Sequence, residues 1–281
     1  METIHINPDL LRTLLVTASI VEARDPYTGG HMWRVGQYAR RMGERFGFSE
    51  GELFVLSLAG LVHDIGKMGV PEAILKKKGS LDQNEYQLMR GHPVLGKELV
   101  DAHPIGRLVS KAILQHHERF DGQGYPIGLS GAQIDPYAQV IAVADSFDAM
   151  TSRRPYQLEV AVDQARNELW KENQHQFSPA WIRIFQDLLQ EGKFSHIIGH
   201  SGEDRLMVEC PDCGPILAIP ATLHTGDDMP CPGCSKLYIL HQSGETFELE
   251  WDGNYDYSHL PHPDTHMIDE FLKQAPKNLR L

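Results

Sequence analysis

A chain of 281 residues can bury one full core and still supply a second, smaller module. Its 41% hydrophobic and 23% charged residues fit an ordered globular protein, and no uninterrupted apolar run reaches the roughly 18 residues of a membrane span. The charge is uneven: residues 1–200 hold 21 Lys+Arg against 24 Asp+Glu, whereas residues 201–281 hold 5 against 14, which argues against nucleic-acid polymers or anionic membranes as partners of the C-terminal part.

Asn7-Pro8 opens a helix over 9–22, with an apolar stripe at Leu10, Leu11, Leu14, Leu15, Ala18 and Val21. A Pro- and Gly-containing loop follows, and His31 begins a second helix running to about 46. Ser49 caps a third helix over 50–65, almost wholly apolar from Leu53 to Val62, so it belongs in the middle of a domain and carries His63-Asp64 at its end. A short helix at 71–78 closes on the solvated run Lys76-Lys77-Lys78. Helical periodicity over 82–90 breaks at His92-Pro93, and Pro93 opens the next helix, to about 102. A helix over 104–117 brings His116-His117 to its last turn, before a glycine-rich loop at 118–135. The helix over 136–151 carries Asp145 among small apolar residues, and helices over 159–172 and 179–190 complete an all-helical unit. Beyond Gly199 the segments shorten, with small strands expected at Val208, 216–219 and 237–240. The expected division is a helical domain at 1–200, a cysteine module at 201–244, and a partly ordered acidic tail at 245–281 that includes His259, His262 and His266.

His31, His63, Asp64, His92, His116, His117 and Asp145 stand out together. A lone histidine at a helix end is ordinarily a dipole partner or a surface residue. Adjacent His116-His117 and adjacent His63-Asp64 are harder to explain by packing, since burying them is costly unless something coordinates or hydrogen-bonds them. Five imidazoles and two carboxylates come close to filling two octahedral ions if one carboxylate bridges.

The motifs His63-Asp64-Ile65-Gly66-Lys67-Met68-Gly69-Val70-Pro71 and His116-His117-Glu118-Arg119-Phe120-Asp121-Gly122-Gln123-Gly124-Tyr125-Pro126 resemble those of the HD-GYP family within the HD superfamily of metal-dependent phosphohydrolases. The resemblance covers residues 10–190 and implies an all-α HD-type helical bundle that degrades the bacterial messenger cyclic di-GMP to pGpG, and on to GMP if the product is also cut. It implies that His31, His63, Asp64 and Asp145 surround one divalent metal, and His92, His116 and His117 a second, with Asp64 bridging. A hydroxide held between two cations is a nucleophile at neutral pH, and the same cations neutralise the phosphodiester oxygens. Iron or manganese suits this ligand set best, with zinc, cobalt and nickel as alternatives. Lys67 is expected to place its ammonium near the phosphate; Tyr125, Asp148 and Arg154 are the expected substrate contacts, although Tyr125 has bracing the loop as an equal alternative. Two departures are visible: Tyr27 stands where many relatives carry a glutamate for a third metal, which favours two ions, and Gln157 replaces a second basic residue after Arg154.

Cys210-Pro211-Asp212-Cys213 and Cys231-Pro232-Gly233-Cys234 have the spacing of a four-thiolate zinc ribbon, in which the following Gly214 and Ser235 let backbone amides face the sulfurs. A structural zinc would hold a segment too small for its own core. A cytoplasmic location is expected, from the cysteine usage and from an N-terminus with no basic segment ahead of an apolar stretch. No receiver or sensory domain of recognisable size accompanies these modules, so an input signal is expected through the ribbon, the tail or another chain, with a protein partner there in view of their acidity. Two alternatives stand beside cyclic di-GMP hydrolysis: action on another cyclic dinucleotide such as 3′,3′-cyclic GMP-AMP, and a low-turnover sensor or scaffold that signals through the ribbon. The complete ligand set argues against the last.

Overall fold

The computed structural model describes residues 3–24, 29–77, 79–152, 162–202, 205–214, 216–219, 223–231, 234–244, 246–257 and 263–280. After a short strand β1 (Thr3–His5), the helix α1 (Pro8–Ala23) starts where the Asn7 side chain accepts the amides of Asp9 and Leu10. Helix α2 (His31–Phe46) runs between Gly30 and Gly47, both in the left-handed region. Helix α3 (Glu50–Val62) opens on a reciprocal Ser49–Glu52 capping box, and every residue from Leu53 to Val62 is buried, as its composition requires. A 3-10 turn (Ile65–Gly69) leads to α4 (Glu72–Leu75), α5 (Gln83–Met89), α6 (His92–Asp101) and α7 (Ser110–Gln115). The long α8 (Pro136–Thr151), α9 (Val162–Lys171) and α10 (Pro179–Gln190) complete the bundle. One core joins α1, α2, α3, α7, α8, α9 and α10 around Tyr38, Phe147, Phe185 and Phe194.

The helix expected over 104–117 is shorter. Residues Gly106–Leu108 form a separate 3-10 turn, because Gly106 packs against the Val100 carbonyl so closely that a Cβ there would lie 2.0 Å from it. Helix α6 also begins at His92 itself rather than at Pro93.

The second module comprises β2 (His200–Gly202), β3 (Arg205–Glu209), β4 (Ile216–Ala218), β5 (Asp228–Pro230), β6 (Lys236–Ser243) and β7 (Thr246–Tyr255). They form two antiparallel three-stranded sheets, ordered β2-β3-β4 and β5-β6-β7. Their own core is small: Val208, Leu217, Ile219, Met229, Tyr238 and Leu240 pack around the cysteines.

The segment read as a partly ordered tail is ordered in its described parts. The β6–β7 hairpin crosses the expected boundary at 245, so the module extends to about 257. Beyond it, α11 (Thr265–Lys273) buries Met267, Ile268 and Phe271 against the helical domain, where Phe271 stacks on Phe54 at 5.3 Å. Strand β8 (Asn278–Arg280) then pairs with β1, so the helical unit does contain a two-stranded sheet. Helix α11 is amphipathic over only nine residues, and the prolines and acidic residues before it masked that short apolar face.

Candidate metal centre

Four helix ends and one helix interior build the site. His31 is the first residue of α2, His63 and Asp64 follow α3, His92 is the first residue of α6, His116 and His117 follow α7, and Asp145 lies within α8. Gly66 draws two of these elements together: a Cβ there would lie 1.9 Å from the His92 carbonyl, so only glycine lets the turn after Asp64 press against α6. Two ligand-competent clusters result, His31–His63–Asp64 and His92–His116–His117, each with its donor atoms within 4.8 Å of one another.

Asp64 lies between the two clusters. Its Oδ2 is 3.9 Å from His31 Nε2 and 3.5 Å from His63 Nε2, whereas its Oδ1 is 3.2 Å from His92 Nε2 and 4.0 Å from His116 Nε2. Asp145 Oδ1 joins the first cluster, 3.4 Å from His31 Nε2. Lys67 Nζ pairs with Asp64 Oδ2 at 2.5 Å, so it belongs to the site rather than to a solvated turn.

The other ring nitrogens fix the tautomers. Nδ1 of His63, His92 and His116 faces the carbonyls of Gly60, Met89 and Ile113 at 2.8, 2.8 and 2.6 Å. A carbonyl can only accept, so each Nδ1 donates and each Nε2 turns a lone pair into the site. His92 Nε2 and His116 Nε2 then oppose one another as two acceptors 3.1 Å apart, and His63 Nε2 is buried without a hydrogen-bond partner. Facing lone pairs and an orphaned buried acceptor are what a bound cation would relieve, and the donor set fits a divalent metal.

Titration behaviour follows from the same crowding. Burial, reinforced by neighbouring imidazoles, holds His116 well below the ordinary histidine range and His117 at about 3. Burial also lowers His63 against the pull of Asp64 and Asp145. For Asp64 burial works upward, but Lys67, His63 and His92 outweigh it and keep the carboxyl well below its usual range.

Asp148, expected to meet substrate, does not line the cleft. It is 1% exposed, its Oδ1 accepts from Arg34 Nε at 2.5 Å, and its Oδ2 accepts from His31 Nδ1 at 2.8 Å. On α8 it is three residues beyond Asp145, which turns it behind the first cluster. Tyr125 stacks on His117 at 4.9 Å, with the Arg90 guanidinium 4.5 Å from its ring centre. It lines a cleft of about 430 Å³ beside Tyr86, Arg90, His117, Asp145 and Ser146. Arg154, Gln157 and Tyr27 lie outside the described residues.

Sequence reasoning missed three residues here. Glu118 is buried and its carboxylate accepts the amides of Ile127, Gly128 and Leu129, pinning the loop after the double histidine. Arg34 and Arg90 were also missed. A charged residue next to a dense motif, or one turn beyond His31 on a buried face, was the available signal.

The four cysteines are brought together as well. Sγ separations are 3.5 Å for Cys210–Cys213 and Cys213–Cys231, and 3.8 Å for Cys210–Cys234. Disulfides require about 2.05 Å, while a tetrahedron of Zn–S bonds near 2.3 Å has edges of about 3.8 Å, so the cluster fits a tetrahedral ion. Gly214 and Ser235, the residues after each pair, both take positive φ, and each amide bonds back to the first cysteine's carbonyl. The Tyr238 hydroxyl braces the cluster, 3.2 Å from Cys210 Sγ, and donates to Asp212.

A family model described as the HD domain matches residues 16–180. A protein named cyclic di-GMP phosphodiesterase from Thermotoga maritima is 38% identical over 184 residues, covering 65% of this chain and 50% of that protein. One named 3′3′-cGAMP-specific phosphodiesterase 3 from Vibrio cholerae is 36% identical over 163 residues, covering 57% and 35%. Among solved structures, a cyclic GMP-AMP-specific phosphodiesterase of V. cholerae superposes with a TM-score of 0.51 at 19% identity, covering 66% of this chain and 50% of that one. The chain thus spans about half or less of the length of these relatives.

Proposed function

This chain belongs to the HD-domain family, and we propose that it is a metal-dependent phosphodiesterase that opens cyclic di-GMP to pGpG. The observation that carries this reading is Asp64, whose two oxygens face separate histidine clusters as a bridging carboxylate must.

In this reading His31, His63, Asp64 and Asp145 hold one divalent ion, and Asp64, His92, His116 and His117 hold the other. The ions are iron or manganese, given imidazole-rich ligands with carboxylates. When bound, such a pair neutralises phosphodiester oxygens and makes water acidic enough to attack at neutral pH. The chain's residues do the remaining work. Lys67, anchored on Asp64 at the cleft floor, directs a positive charge to the phosphate. Arg90, over Tyr125, supplies a second cation at the cleft wall, which offsets Gln157; Arg154 contacts the other phosphate. Glu118 keeps the Gly124-Tyr125-Pro126 loop in place and so sets the cleft's width. The reaction adds a water oxygen to phosphorus and breaks one P–O3′ bond; O3′ leaves with a proton, and the product is a linear dinucleotide with a 5′-phosphate. The four thiolates hold a structural zinc, and the acidic module around it is a surface for a protein partner. A cyclic dinucleotide substrate places the enzyme in the cytoplasm, and no helix among the described residues is long and apolar enough to cross a membrane.

A second substrate, 3′,3′-cyclic GMP-AMP, is supported by the relatives named for it at comparable identity. Hydrolysis assays on protein reconstituted with Mn²⁺ or Fe²⁺ separate the readings. Product from cyclic di-GMP at a higher kcat/KM than from cyclic GMP-AMP supports the first. Turnover of neither ligand at full metal occupancy overturns both and leaves a sensor.

A further inference from the structure

Arg34 lies one turn beyond His31 on α2 and is 1% exposed, where a guanidinium is costly unless all its donors are used. They are used in two directions. Nε and Nη2 grip both oxygens of Asp148 at 2.5 and 2.9 Å, and Nη2 also reaches Ser152 Oγ at 3.1 Å. Nη1 turns the other way and donates to the carbonyls of Gly29 and His200, each at 3.0 Å, with Met207 Sδ 2.8 Å away. His200 is in β2 and Met207 in β3, and β3 runs directly into Cys210. A second contact fixes the same seam: a Cβ on Gly30 would meet Ser201 Cα at 2.5 Å, so β2 lies flat against the residue preceding His31.

A continuous line of contacts therefore joins the two centres, from Cys210 through β3 and β2 to Arg34, then Asp148, then His31 Nδ1 at 2.8 Å. We propose that Arg34 is a positioning residue through which the β2–β3 hairpin of the cysteine module holds His31 in place, so that the module's metal state sets the affinity of the His31–His63–Asp64 cluster for its ion. This rests on reading that cluster as one of two ion sites. The physical basis is the rigid guanidinium plane: the edge that orients Asp148 cannot tilt without moving the nitrogen held by His200. Asp148 in turn fixes the ring plane of His31, and outer partners of metal-bound histidines commonly change affinity by about 10- to 100-fold.

The test is a Mn²⁺ titration of the full chain with zinc retained in the cysteine site, following free Mn²⁺ and the exchange-coupled two-ion signal by electron paramagnetic resonance. The wild-type chain should bind two ions. Arg34→Lys and Arg34→Gln should weaken one ion by about 10- to 100-fold, abolish the coupled signal at moderate Mn²⁺, and leave the ion at His92–His116–His117 unchanged. The double variant Cys210→Ser/Cys213→Ser, remote from the helical core, should weaken the same ion by a smaller factor, and this arm stands if the Arg34 variants do not fold. Unchanged affinity for both ions in the cysteine variant overturns the link to the module. Equal weakening of both ions in the Arg34 variants overturns the positioning role in favour of general loosening. A wild-type chain that binds two ions yet cleaves no cyclic dinucleotide refutes the proposed substrate and leaves this coupling standing, whereas a single-ion wild type refutes the two-ion reading beneath both.

Discussion

The two metal-competent centres of this protein are assembled in opposite ways. The cysteine cluster draws its ligands from two short knuckles within one small module, each closed by a local turn at Gly214 or Ser235. The histidine–carboxylate centre draws on α2, α3, α6, α7 and α8, so its ligands meet only after a large apolar core has formed. The module offers few core residues of its own, whereas the bundle seats its ligands on an extensive apolar core. The difference teaches that the helical centre is a product of long-range packing, whereas the cysteine cluster is set by local turns within one small module.

Several variants break or sharpen that contrast. The largest effect is expected at Asp64: Asp64→Ala should lower phosphodiesterase kcat by on the order of 10³-fold or more while circular dichroism and melting remain those of a folded bundle, since the core does not depend on the ions. Loss of the helical fold in this variant would remove the contrast. Next, Cys210→Ser should release zinc, measured by elemental analysis, and raise hydrogen exchange over 205–240, with hydrolysis retained at saturating Mn²⁺. A folded bundle with no activity at any Mn²⁺ concentration would show that the ribbon is part of the catalytic site.

Phe271→Ala comes third, with a loss of about 3 kcal/mol of bundle stability by urea denaturation and no zinc release, because α11 packs on Phe54 rather than on the cysteine module. Zinc loss without bundle destabilisation would return that segment to the module. The pH effect on metal-free protein should be smaller. His63, His116 and His117 have lowered values in the folded state, so below pH 6.5 the unfolded chain takes protons that the folded chain refuses. Their contribution is complete above pH 6.5 and is lost as pH falls, for His117 down to about 3. His31, where burial lowers the value but Asp148, Asp145 and Asp64 together outweigh it, and Glu22, which burial pushes up to about 7, act in the opposite sense. A net loss of about 1 kcal/mol is expected between pH 6.5 and 5.5, growing when Glu22→Gln removes the opposing carboxyl, and a loss unchanged in that variant would contradict this balance. Smallest is Glu118→Gln, for which a few-fold rise in KM at constant kcat is expected if the carboxylate only pins the loop.

Much of the centre was legible in the chain itself. Adjacent polar pairs such as His63-Asp64 and His116-His117 announce their chemistry because packing alone gives no reason to bury them, and helix α3 was visible because its apolar run has no alternative to burial. The cysteine spacing was an equally local signal, whereas the positive φ of Ser235 was not. What could not be read were pairings between distant segments. Asp148 looked like a cleft residue by proximity to Asp145, yet three residues along α8 turn it to His31 and Arg34. Helix α11 looked like tail because its partner face lies on α1 and α3, far away in sequence.

The sequence by itself determined which side chains are competent to bind metal and where each helix places them, because residue chemistry, caps and apolar periodicity are local properties. Only the tertiary structure decided the distances at which Asp64, expected to bridge, turns one oxygen to each histidine cluster, and that Arg34 joins His31 to β2 of the cysteine module. Those relations depend on the crossing of elements at close approaches such as Gly66 against α6 and Gly30 against Ser201, where packing rather than local preference sets the distance.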